Sequence, residues 1–124
     1  MKRLNKTQVA RLNAAFAYAQ KVMRTGYHFT YIPRTKAEMA AKYGTEDALM
    51  GMDETLRGSE DENHFIIEVN IDEIPGRSLK LLKKDAGHEV IHAILHKLYK
   101  SNTLKNCENA TYAIQRACFG DDNE

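Results

Sequence analysis

This sequence of 124 residues has no apolar run approaching the roughly 20 residues that a membrane-spanning helix needs, so no membrane association is expected. It has almost no net charge. Its 18 Lys and Arg against 17 Asp and Glu leave +1, and without a basic excess no nucleic-acid partner is expected. Lys80, Lys83 and Lys84, and separately Arg34 with Lys36, read as solvated faces. Lys2, Arg3 and Lys6 are not followed by an apolar stretch, so no export signal is expected and the expected location is cytoplasmic. Cysteine is scarce. Cys107 and Cys118 belong to no C-x-x-C pair, and on one helix they lie about three turns apart, too far to bridge. A cysteine zinc knuckle is therefore not expected. There is no internal repeat, low-complexity tract or Pro/Gly-rich linker, and residues 1–124 read as one domain. A hydrophobic share of 43% beside 28% charged residues is enough for a packed core.

Within that domain the pattern alternates between helical and extended periods. Thr7 is placed to cap a first helix whose Val9, Leu12, Phe16, Ala19 and Met23 share one face, with Gly26 just past its end. Tyr27 to Ile32 reads as a strand stopped by Pro33. Thr35-Lys36-Ala37-Glu38 is a capping box for a short helix that Gly44 ends. Gly51 to Arg57 is a second strand candidate, and Ser59 to Asn63 an acidic turn. His64 to Ile71 is the clearest strand, with Phe65, Ile67, Val69 and Ile71 on one face. After a Pro75-Gly76 turn, Ser78 caps a long helix to about Tyr99, and a last helix runs from about Leu104 to Cys118. The expected fold class is α+β: a small antiparallel sheet burying one face on the helices.

The chemistry lies in the long helix. His88-Glu89-Val90-Ile91-His92 is an H-E-x-x-H pattern. Residues four apart lie on one helix face a turn apart, so two imidazoles so placed can reach one zinc ion. The glutamate between them sits beside the metal, placed to take a proton from an activated water. Val90, Ile91, Ile94, Leu95 and Leu98 share one arc; His88, Glu89, His92 and His96 fall on the other, with Asp85 and Tyr99. His96 lies two turns above His88, about 12 Å along the axis, so it is expected to orient or polarise a ligand rather than bind the metal.

A catalytic zinc needs a third protein ligand and one open position. Glu108, Asp85, Cys107 and His64 are the candidates, and Glu108 is preferred. On the last helix Cys107, Ala110, Ala113, Ile114, Ala117 and Cys118 form the apolar arc, which points Cys107 toward a buried position. Glu108, Tyr112 and Gln115 lie on the other side. Two helices joined by a short break pack antiparallel, which returns the first turn of the last helix toward the motif.

His88-Glu89-x-x-His92 with a downstream glutamate resembles the gluzincin branch of the zincin metallopeptidases. The short length is similar to the minigluzincins and to small metallopeptidase-like proteins of phages and mobile elements. The stretch Glu108-Asn109-Ala110-Thr111-Tyr112-Ala113 is also similar to the glutamate helix of cytoplasmic antirepressor proteases that act on phage repressors. The resemblance covers roughly residues 64–118. It implies a minimal zincin-like domain with a zinc cofactor and a peptide or protein substrate. The strand His64 to Ile71 would be the cleft edge on which the peptide adds a strand. It also implies a polar brace for a ligand histidine, from Thr111, Tyr112 or Gln115, and a transition-state donor, Tyr112 or His96. The expected activity is zinc-dependent peptide hydrolysis with Glu89 as general base. The alternative is a zincin-like module that binds zinc and a protein partner without hydrolysis.

Overall fold

The computed structural model describes residues 3–45, 48–52, 63–98 and 108–120. They form four α-helices and a three-stranded sheet in the order α1 (Lys6–Met23), β1 (His28–Arg34), α2 (Lys36–Tyr43), β2 (Met50–Met52), β3 (His64–Asn70), α3 (Leu79–Leu98) and α4 (Glu108–Phe119). A single 3-10 turn, Ile74–Gly76, joins β3 to α3. None of the described helices is long and apolar enough to cross a membrane.

The class is α+β as expected, but the sheet is mixed rather than antiparallel. Its order is β1-β3-β2, with β1 parallel and β2 antiparallel to β3. The chain leaves β1 through α2 and β2 before it returns in β3, and this long connection permits the parallel pair. β3 is therefore the central strand, not the edge expected of His64 to Ile71. Phe65 through Asn70 are buried on both faces. Ile67 and Val69 enter the main core with Leu12, Phe16, Ile74, Leu82 and Val90, between the sheet, α1 and α3.

On the alternate face of β3, Glu68 is 2% exposed and meets three partners: Arg34 at 2.8 Å, Lys42 at 2.6 Å and the Tyr43 hydroxyl at 2.8 Å. Desolvation pushes the Glu68 carboxyl up, but the bonds from Lys42, Arg34 and Tyr43 outweigh it and hold the group below the usual carboxylate range. The Tyr43 ring lies flat against β2 at Gly51, where an added Cβ would come within 2.1 Å of it. The glycine lets α2 cover the edge strand.

Several local details differ from the sequence reading. Asn5, not Thr7, caps α1, in a reciprocal box with Gln8. Arg24, not Gly26, takes the left-handed position that closes it. β1 passes through Pro33 to Arg34, since an edge strand needs only one side's donors. β2 spans Met50–Met52, while the rest of the expected strand to Arg57 and the turn Ser59 to Glu62 lie outside the described residues. Lys84, expected in solvent, is 4% exposed. The polar arc of α3 is no solvent face either. Glu89 is buried, because α4 and β2 cover that side.

α4 reverses the expected orientation. Ala110, Ala113, Ala117 and Cys118 of its apolar arc are exposed, whereas Thr111 and Gln115 are buried against α3. Cys107 lies outside the described residues. The contact is anchored where Phe119 packs over Gly87, and a Cβ there would fall 2.6 Å from the ring. Mid-helix glycine costs about 1 kcal/mol relative to alanine, so an unconstrained Gly→Ala change stabilises. Here the sign reverses: Gly87→Ala is expected to destabilise by about 1–3 kcal/mol through overpacking. Chemical denaturation checks this, and a stability gain would contradict the close approach.

Candidate metal centre

α3 supplies His88 and His92 from successive turns, and α4 supplies Glu108 from its first turn. Their donor atoms converge. His92 Nε2 lies 2.6 Å from Glu108 Oε1 and 3.1 Å from His88 Nε2, and His88 Nε2 lies 3.3 Å from Glu108 Oε2. Ligands at about 2.1 Å around a tetrahedral zinc are about 3.4 Å apart, so seating the ion would open the His92–Glu108 pair by about 0.8 Å and the other two by about 0.3 Å or less. Two imidazole nitrogens and a carboxylate are also the donor types a borderline-soft cation takes. Among the described residues this trio is the one group of His, Cys, Asp or Glu with metal-ligand spacing.

The tautomer of one ligand is set from α4. His88 Nδ1 lies 2.8 Å from Gln115 Oε1. The amide oxygen accepts, so Nδ1 carries the proton and the Nε2 lone pair is turned to the cluster. Gln115 sits seven residues after Glu108, two turns along the same stripe, so one helix delivers both ligand and brace. Of the three braces the resemblance suggested, Gln115 makes this bond. Tyr112 instead lays its ring against the His88 imidazole, with centroids 4.7 Å apart, and Thr111 is buried beneath.

Comparison with known proteins gives no kinship. No family model, curated protein or solved structure matches the chain. His88, His92 and Glu108 are placed to hold a metal ion by their geometry.

Glu89 is 4% exposed, and its Oε2 is a buried oxygen with no hydrogen-bond partner among the described residues. Burial, and then the nearby carboxylates of Glu108 and Asp85, push its pKa up to about 8. A nearby cation would reverse this by favouring the carboxylate, and a bound water would supply the missing partner.

The cluster opens onto a cleft of about 780 Å³ between β2, the 3-10 turn, α3 and α4, lined by Glu89, His88, Glu108 and Tyr112 at one end. A smaller hollow of about 220 Å³, lined by Gly51, Met52 and His92, lies against the same cluster. The edge strand β2 borders both, and among the described residues nothing pairs with its far side.

Among the described residues, the remaining candidates are not brought to the cluster. Asp85 faces the large cleft but is held by Arg77 through two bonds, of 2.9 and 3.0 Å. His64 Nε2 meets Thr30 Oγ1 at 2.5 Å on the sheet. His96, one of two expected donors, packs edge-on against Phe65 with centroids 6.0 Å apart and lines neither cleft. The rise of α3 carries it away from the metal ligands and toward the sheet. Tyr43, Glu73 and Arg77 line the cleft with no motif to announce them; their only signal is position in the folded chain.

Two measurements follow from this geometry. In the metal-free protein Glu89 keeps its proton to about pH 8, whereas the unfolded carboxyl releases it near the ordinary value of 4.5. Its contribution to stability is full below about 4.5 and is lost as pH rises to about 8, a change on the order of a few kcal/mol. Glu89→Gln should flatten that slope, as read from melting curves across the window. Gln115→Leu removes the brace while filling the space, and should weaken metal affinity about 10- to 100-fold, read by competition with a chelator.

Proposed function

We propose that this chain is a zinc-dependent peptidase with a minimal zincin-like domain, in which His88, His92 and Glu108 hold the metal and Glu89 is the general base. The observation that carries the reading is a set of three donors, with no fourth among the described residues, facing a cleft and with a buried carboxyl of raised pKa beside it. A structural zinc site closes its shell with four protein ligands, whereas three ligands beside open space leave a position for water or substrate. This favours catalysis over a zinc-holding module that only binds a partner. The H-E-x-x-H spacing and the downstream glutamate support the gluzincin likeness, and a cleft of about 780 Å³ beside the cluster leaves room for a peptide.

Zinc bound here would polarise a carbonyl and lower the pKa of water to roughly 7. The protein's own groups do the rest. Glu89, held in an apolar setting, accepts the water's proton and delivers it to the leaving amine. Gln115 keeps His88 in the ligating tautomer. Tyr112, exposed at the cleft wall and in contact with His88, is the donor available to the developing oxyanion. The side of β2 that pairs with no described residue offers main-chain groups that would hold an extended peptide as an added strand, a role β3 cannot take from the middle of the sheet.

Glu89→Gln is the decisive variant. Purified with zinc, it should retain about one ion per chain by native mass spectrometry and lose peptide hydrolysis by several orders of magnitude. Turnover that survives the change would end this mechanism. A wild-type chain that takes up no zinc, with His88→Ala as control, would end the metal-centre reading as a whole.

A further inference from the structure

We infer that the cleft selects a cationic side chain, Lys or Arg, in the substrate, with Glu73 as the carboxylate that receives it. This rests on the peptidase reading above and names its substrate class. The charged side chains of the large cleft away from the metal cluster are Glu73, Arg77 and Asp85. Arg77 and Asp85 neutralise one another through their paired bonds of 2.9 and 3.0 Å. Glu73 is left as the net charge of that wall. It is half-buried, makes no capping bond to the 3-10 turn that it precedes, and its carboxylate has no hydrogen bond or ion pair with another described residue.

The backbone that carries Glu73 is also held in place. The turn Ile74–Gly76 is plugged into the core by Ile74, which is fully buried. Arg11 on α1 ties it from beneath, donating to the Ile74 carbonyl at 3.1 Å and to the Arg77 carbonyl. Glu73 is thus a carboxylate carried on an anchored turn. Leu49, Met50 and the Tyr43 ring line the same cleft and supply an apolar wall. An apolar wall with one carboxylate fits a long aliphatic stem ending in a cation, and repels an acidic side chain.

The test uses a randomised short-peptide library with the zinc-loaded protein, its products read by mass spectrometry. In parallel, labelled peptides that differ only in one Arg, Leu or Glu are titrated against zinc-loaded Glu89→Gln protein. The expected result is Lys or Arg enriched at one position relative to the cut, and roughly tenfold tighter binding of the Arg peptide than of the Glu peptide. Glu73→Gln should remove that preference and Glu73→Lys should invert it, with melting curves confirming that both variants fold. Cleavage without a charge preference, or a preference that Glu73→Gln leaves unchanged, overturns this inference and leaves the peptidase reading intact. Absence of cleavage by the zinc-loaded wild type overturns the peptidase reading; the binding titration then still decides whether the cleft prefers a cation.

Discussion

The close packing of α4 on α3 is the contact on which the rest of the site depends. Phe119 can reach the α3 backbone only because residue 87 has no Cβ, and that approach draws one stripe of α4, with Thr111 and Gln115 buried in it, against the motif helix. Glu108, Thr111, Gln115 and Phe119 follow one another along that stripe at intervals of three or four residues. A shift of α4 by an ångström or two would separate Glu108 from both imidazoles and break the bond from Gln115 to His88 together. The unusual outward turn of the alanine-rich arc follows from this. α3 presents imidazoles at the contact, and polar partners satisfy them where alanines would leave buried nitrogens unpaired.

Glu89 shows what this enclosure does to charge. On an exposed helix it would be an ordinary solvated acid. Under α4 and β2 it becomes a carboxyl that keeps its proton near neutrality until a cation arrives. A cation bound there would displace that proton, so metal affinity is expected to rise with pH.

A second polar cluster builds the opposite wall. Glu68 in the central strand gathers Arg34, Lys42 and Tyr43, and so pins the end of α2 over the glycine of β2. The ring that closes this contact also lines both hollows beside the metal cluster. One buried carboxylate therefore fixes a cleft wall from the far face of the sheet. Removal of a single partner would leave an uncompensated charge, the costly way to break such a network.

The sequence alone determined what depends on short-range periodicity and on residue type at fixed spacing. The helix periods of α1, α3 and α4, the capping box and terminal glycine of α2, and the alternation of β3 are local physics and were legible. So was the pairing of His88 with His92, because four residues make one helical turn. The preference for Glu108 came from counting ligands and from the antiparallel habit of joined helices, but three rivals stayed open because nothing local says which side chain returns to the motif. Tertiary structure decided the remainder. It placed β3 in the middle of a mixed sheet, moved the free edge to β2, and carried His96 to Phe65. It turned the polar stripe of α4 inward and set Glu73 and Arg77 in the cleft. Each of these is a relation between residues far apart in the chain. Such relations are set by which surfaces exclude water together, a property of the packed whole rather than of any segment.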